Sequence, residues 1–219
     1  MKILFKFASR SRPNKFFDCM ENIMSLCKTD FKVLGTFDED DQTMNTSNVI
    51  EKLNRYEKLI YYFDKSKNKV DAINRDMDKA PEWDILINTS DDMKYYMNGF
   101  DEMIIKDMQF HWPEGCGCLH YPDGVAQKEL MTLSIMDKKY YNLDGYIYHP
   151  TYNSLFCDNE ATQVAITRGR IRYSPTDFFR HEHPANGYGN NDDQYRKTES
   201  YWGIDLSNYN SRKSQGFPK

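Results

Sequence analysis

The sequence predicts an α/β domain with a mostly parallel central sheet and helices on both faces. Three observations carry this. Short apolar runs alternate with segments of helical apolar spacing through residues 1–92. Each apolar run ends in a polar or charged stretch: SRSRP (9–13), DEDD (38–41), FDKSKN (63–68) and NTSDDM (88–93). No internal repeat or low-complexity linker divides the 219 residues, so a single domain is expected over 1–219.

The elements follow in order. KILFKFA (2–8) reads as a buried first strand. A helix is expected over 14–27, with Phe16, Phe17, Met20, Ile23, Met24 and Cys27 at helical spacing. Pro13 suits its first turn, where a backbone N–H has no partner to lose. FKVLGTF (31–37) is a second strand, 47–57 a second helix and LIYYFD (59–64) a third strand. KNKVDAINRDMDKAP holds a helix stopped near Pro81, and 84–88 is a fourth strand. Beyond it the pattern is less regular. A helix is expected over 93–107, then a Gly- and Cys-containing loop, HWPEGCGC, and a strand at LMTLSIM (130–136). KKYYNLDGYIYHPTYNSLFCDNE (138–160) reads as an aromatic loop. A short helix, ATQVAITR, stops at Gly169, and RIRYSP is a short strand before a polar tail over 177–219.

Composition narrows the function classes. Apolar residues make up 39% and charged residues 28%, enough for a core and against wholesale disorder. A net charge of −4 argues against bulk gripping of a nucleic-acid backbone. The five cysteines, at 19, 27, 116, 118 and 157, are odd in number and irregularly spaced. They suggest a reducing, cytoplasmic setting and no disulfide framework. The apolar part of MKILFKFASRSRP is too short for a signal peptide. No run nears the roughly 20 apolar residues of a membrane span.

In parallel α/β sheets, ligands bind beyond the carboxyl ends of the strands. All four expected ends are polar, so they should converge on one edge. Ser9, Arg10 and Arg12, beside the free N–H groups of a helix start, suit a diphosphate; a solvated basic turn is the alternative. Asp38 and Asp40 could accept hydrogen bonds from a base or ribose, or simply face water. Asp91 and Asp92 offer carboxylate oxygens to Mg²⁺ or Mn²⁺, which share coordination with substrate phosphates. Ser90 or Asp91 would equally cap the helix expected next. Asp158 and Glu160 stand at an expected helix start, either as a general base or as a cap and first-turn acid.

His181 and His183 are two apart, so in an extended segment they point to opposite faces and only one could reach a given ion. His111, Cys116, Cys118 and His120 match no strong zinc spacing. Tyr140, Tyr141, Tyr146, Tyr148, Tyr152, Trp112 and Trp202 are candidates for a sugar platform or for the core.

Taken in order, SRSRP (9–13), FDEDD (37–41), KVDAINRD (69–76), ILINTSDDM (85–93), MDKKYYNLDGY (136–146), CDNEA (157–161) and GRIRYSP (169–175) resemble the GT-A-fold nucleotide-sugar glycosyltransferases. The likeness is to the large inverting family, in its compact bacterial and viral type, and covers nearly the whole chain. It implies one GT-A-like, Rossmann-like domain, with a nucleotide-binding half over 1–92 and an acceptor-binding, catalytic half over 93–219. It places Ser9, Arg10 and Arg12 beside the diphosphate. It places Asp38 or Asp40, with Asn74 and Arg75, on the nucleoside. The acidic pair becomes this chain's DxD metal motif, with Ser90 where the first acid is often found. Asp92 is then the ligand to Mn²⁺ or Mg²⁺, Asp91 serves the ribose or supports the shell, and His181 or His183 completes it. Asp158 or Glu160 is the base, and Arg212 or Lys213 reaches the phosphates from the tail.

The implied reaction is metal-dependent transfer of a sugar from a nucleoside diphosphate, UDP by default, to an acceptor hydroxyl with inversion. The acceptor is a glycan, a protein or a modified nucleobase. Two alternatives stand beside it. A sugar-phosphate nucleotidyltransferase would want a Gly-rich phosphate loop that SRSRP lacks. A non-catalytic nucleotide-sugar or glycan-binding protein would bind donor without turnover. Few alanines and many Asn, Lys, Tyr and Asp residues fit an AT-rich bacterial or viral genome.

Overall fold

In the computed structural model, residues 1–188 and 192–218 are described. Strand and helix alternate through β1 (Ile3–Ala8), α1 (Pro13–Leu26), β2 (Phe31–Asp38), α2 (Ser47–Leu53), β3 (Leu59–Asp64), α3 (Lys69–Asn74) and β4 (Ile85–Thr89). There follow β5 (Met93–Tyr95), α4 (Phe100–His111), β6 (Cys118–His120), β7 (Ser134–Asp137), α5 (Lys138–Asp144) and α6 (Cys157–Thr167). The chain ends with β8 (Ile171–Tyr173), β9 (Phe179–His181), α7 (Asp193–Glu199) and α8 (Trp202–Ser214).

Among the described residues one seven-stranded sheet runs in the order β3-β2-β1-β4-β7-β6-β8. Only β7 opposes its neighbours; the other pairings are parallel. The pleat sends alternate side chains to opposite faces. Ile3, Phe5 and Phe7 join the helices α1 and α4 in one apolar layer. Leu4, Leu34 and Leu86 join α3, α5 and α6 in the other. Each fully buried Leu, Ile or Phe contributes about 1.5–3 kcal/mol, so two such layers hold the sheet on both sides. β1 has β2 on one side and β4 on the other. The chain therefore reverses its winding at β1, and a crevice opens at the carboxyl ends of β1 and β4.

Several expected elements differ. The segment after Asp92 does not start a helix. Met93 and Tyr95 are buried around an exposed Lys94, a period of two that makes β5 and pairs it with β9. Neither Ser90 nor Asp91 is therefore a helix cap; α4 begins later, at Phe100. β7 starts at Ser134, later than the strand expected from 130. The aromatic stretch contains α5, capped by the Asp137 carboxylate, which accepts from the Tyr140 N–H, and closed at Gly145 (φ 77°). The Gly- and Cys-containing segment delivers β6 through Gly117, where an added Cβ would lie 2.1 Å from the Trp112 ring. The polar tail folds into α7 and α8. All five cysteines are free. No described helix is long and apolar enough to cross a membrane.

Candidate active site

The polar ends of β1, β2, β3 and β4 meet at one open cleft of about 300 Å³. After β1, Ser11 adopts a left-handed conformation (φ 62°) and turns its N–H to Asp41 Oδ2 at 2.6 Å. The other Asp41 oxygen accepts from the Thr43 N–H at 2.9 Å and the Thr43 hydroxyl at 2.8 Å. Burial works against that charge, yet these donors hold the carboxyl below its usual range. Asp41 thus ties the first strand-end loop to the second.

Asp38 and Asp40 both reach the cleft, held by Arg10 Nη1 at 2.8 and 2.6 Å. Asp38 Oδ1 is buried and lacks a hydrogen-bond partner among the described residues; Arg75 Nη1 stands 3.9 Å away. A buried carboxylate oxygen with an open lone pair is poised for a ligand donor. Asn74 and Arg75 stand behind the cleft instead of lining it. The Asn74 amide bridges the Ile147 and Tyr148 backbone. The Arg75 guanidinium braces the wall through Ser66 Oγ and the Phe37 carbonyl, each at 2.7 Å.

Beyond β4 the two acids take separate partners. Asp91 accepts from the Ser9 hydroxyl at 2.6 Å and from Arg12 Nη1 at 3.1 Å. Burial and the neighbouring Asp92 charge still push its pKa up. Asp92 accepts from the Ser90 hydroxyl and from the Tyr195 hydroxyl at 3.1 Å, and lies 3.4 Å from His181 Nε2. Burial opposes its ionisation, but His181 and Lys69 keep it well below the usual carboxylate range. The β5–β9 pairing delivers His181: Met93 faces it in register, and the Glu182 N–H donates to the Asp92 carbonyl at 2.7 Å. His183 also lines the cleft, against the expectation of opposite faces. Its N–H bonds back to the His181 carbonyl at 2.9 Å, so the chain turns there and is no longer extended. Burial and the His181 charge lower the His183 pKa.

Among the described residues, no three His, Cys, Asp or Glu side chains form a ready-made metal cluster. A carboxylate and an imidazole 3.4 Å apart nevertheless fit neighbouring ligands of one octahedral ion. With arms of about 2.1 Å such ligands stand about 3 Å apart, and Mg²⁺-like ions take their remaining oxygens from phosphate and water.

Asp158 and Glu160 are not together. Two helical positions differ by about 200°, so they face opposite ways. Asp158 lies half-buried in the first turn of α6 and lines the cleft, its Oδ1 accepting from the Asn159 N–H at 2.9 Å. It is not the helix cap; Phe156 holds that position, in a left-handed conformation. Burial raises its pKa against the pull of Lys69 and His181. Glu160 is buried elsewhere, gripped by Arg212 through two bonds of 2.8 Å and by the Tyr152 hydroxyl at 2.7 Å. Arg212 is thereby removed from the cleft as well. Trp112, Tyr140, Tyr148 and Tyr152 belong to the core, while Trp202 is 57% exposed.

One wall has no counterpart in the sequence reading. Gln194, Tyr195, Lys197 and Thr198 of α7, with Tyr201, line the cleft. Asp192 caps α7 by accepting from the Gln194 and Tyr195 N–H groups. Arg12 grips the same carboxylate and places its guanidinium carbon over the Tyr195 ring, 3.9 Å from its centre. An Asp before DQYRKTE was a readable start signal. Ser66, Lys67, Asn68 and Lys69, after β3, also line the cleft.

No protein-family model and no curated protein sequence matches this chain. Solved structures do. The S. aureus TarS 1–349 fragment is 14% identical, with a TM-score of 0.63 over 82% of this chain and 59% of that one. The chain thus spans less than two thirds of the TarS fragment. The same fragment in complex with UDP-GlcNAc matches at 14% identity and a TM-score of 0.63, over 90% of this chain and 64% of that one. Mannosyltransferase PcManGT from Pyrobaculum calidifontis, in complex with GDP-Man and Mn²⁺, is 12% identical. Its TM-score is 0.64 over 91% of this chain and 69% of that one. With its reversal at β1 and its strand-end cleft, the chain has the GT-A-like fold of nucleotide-sugar glycosyltransferases.

Proposed function

We propose that this protein is a metal-dependent glycosyltransferase that moves a sugar from a nucleoside diphosphate to an acceptor hydroxyl, with inversion. One observation carries the reading. A single cleft gathers the Asp38 carboxylate, the Asp92–His181 pair and the separate Asp158 carboxylate. UDP is the first donor nucleotide to try, since TarS binds UDP and UDP-GlcNAc; GDP is the second, after PcManGT.

The open oxygen of Asp38 accepts an N–H or O–H from the nucleoside. Asp92 and His181, with His183 beside them, would hold Mn²⁺ or Mg²⁺. When bound, that ion supplies positive charge against the departing diphosphate. Asp91, held by Ser9 and Arg12, keeps the Asp92 loop in place and faces the ribose. Asp158 takes the proton of the acceptor hydroxyl; a carboxylate with raised proton affinity suits a base at neutral pH. Attack from the face opposite the diphosphate gives inversion. Glu160 and Arg212 act as a structural pair in this reading. The acceptor is a glycan, a protein or a modified nucleobase, and the expected setting is cytoplasmic.

The test is thermal stabilisation and donor hydrolysis with UDP-GlcNAc, other UDP-sugars and GDP-Man, each with Mn²⁺ and with chelator. One sugar should raise the melting temperature by mass action and be hydrolysed slowly, only with metal. Asp92→Ala should lose both. If no nucleotide sugar shifts the parent with Mn²⁺ present, the reading fails. Binding without any turnover would favour a non-catalytic binding protein.

A further inference from the structure

Among the described residues, five cationic side chains line the cleft: Arg10, Arg12, Lys67, Lys69 and Lys197. The sequence pointed to the two arginines as the diphosphate grip, yet both are engaged by the protein. Arg10 holds Asp38 and Asp40. Arg12 holds Asp91 and Asp192 and stacks on Tyr195. Swinging either toward a phosphate would strand a carboxylate in a poorly solvated wall.

Lys69 is differently placed. Its ammonium makes no ion pair or hydrogen bond among the described residues, and the side chain is exposed to the cleft. Its charge acts on Asp92 and on Asp158, the two carboxylates between which a donor's phosphate and anomeric carbon must lie. Its backbone is fixed. The Asn68 side chain accepts the Asp71 N–H at 2.9 Å, the next residue, Val70, is fully buried, and the Val70 N–H reaches the Asn153 carbonyl. A free cation on an anchored backbone, lining the same cleft as Asp92 and Asp158, is what a leaving diphosphate requires.

Building on the glycosyltransferase reading, we propose that Lys69 is a catalytic residue whose ammonium binds the departing nucleoside diphosphate directly. As the acceptor oxygen bonds to the anomeric carbon, the bond from that carbon to the phosphate oxygen breaks. The electron pair leaves with the diphosphate and the acceptor proton passes to Asp158. Lys69 keeps its proton and stabilises the new charge by hydrogen bonding.

The experiment compares the parent with Lys69→Met and Lys69→Arg by titration calorimetry, with Mn²⁺ and with chelator. The probes are uridine, UDP, guanosine and GDP. Lys69→Met should weaken diphosphate binding at least ~10-fold and leave nucleoside binding unchanged. Turnover of the active donor should fall on the order of 10²-fold, and Lys69→Arg should restore most of both. Lys69→Met that binds UDP and GDP as the parent does, in both conditions, overturns the inference and leaves the glycosyltransferase reading standing. A parent that binds none of the four probes overturns both.

Discussion

Arg12 and Asp192 form a two-pronged ion pair, Nε at 2.9 Å and Nη2 at 2.5 Å, across 180 positions of sequence. The same guanidinium touches Asp91 at 3.1 Å. One side chain therefore joins the first strand end, the acid pair and the cap of α7. Arg12→Lys keeps the charge but loses the fork, and should cost about 1–3 kcal/mol. Hydrogen exchange should quicken at the amides of α7 while β1 and β4 stay protected. Unchanged exchange in α7 would count against this coupling.

Asp158 and Glu160 should separate cleanly on substitution. Asp158→Asn removes the base we propose, so turnover should fall by roughly 10²–10⁴-fold with donor affinity kept. Glu160→Gln strips a buried pair, so it should cost about 3 kcal/mol of stability while folded molecules still react. Kinetics alongside urea denaturation decides the matter; the reverse pattern would move the base to Glu160.

That pair shows what the sequence could and could not disclose. The four strand ends were legible, because apolar runs ending in charge report both a parallel sheet and its binding edge. The opposition of Asp158 and Glu160 was also legible from helical geometry alone. α7 showed a start signal at Asp192 and nothing more: only Tyr195 of its residues is buried, so it carries no apolar stripe to read. The engagement of Arg10, Arg12 and Arg212 by carboxylates depends on long-range contacts that no local pattern reports. The expected cap at Ser90 or Asp91 gave way to β5 because β9, nearly ninety residues on, offered that segment a partner.

Removing His181 should act on the ion before it acts on the fold. His181→Ala leaves Asp92 in place, so activity should persist but need at least ~10-fold more Mn²⁺. A metal titration of activity checks this; an unchanged Mn²⁺ requirement would exclude His181 from the ion's shell.

Lys6 predicts a pH signature. It is a fully buried residue of β1, its Nζ donating to Thr36 Oγ1 and to the Arg75 carbonyl. Burial lowers its pKa from 10.5 to about 7, against the pull of Asp76. Between these values the unfolded chain binds more protons than the folded one, so stability should rise with pH across that window. Below about pH 7 both states are protonated and this contribution is flat. Relative to Lys6→Met, the parent should gain on the order of 1 kcal/mol per pH unit from 7 to 9 in urea unfolding. Parallel pH curves for the two proteins would contradict it.

The span between Arg12 and Asp192 also sets a clock. Ribosomes add about 5–20 residues per second, so the stretch from Asp92 to Asp192 takes roughly 5–20 s to make. Through that interval β1 to β4 can already assemble, with their acids facing water, while His181 and the α7 wall do not yet exist. A ribosome-bound chain stalled short of β9 is therefore expected to show no Mn²⁺-dependent nucleotide binding, measurable by pull-down on immobilised UDP. On the glycosyltransferase reading, competence then arrives as a late, single event in synthesis.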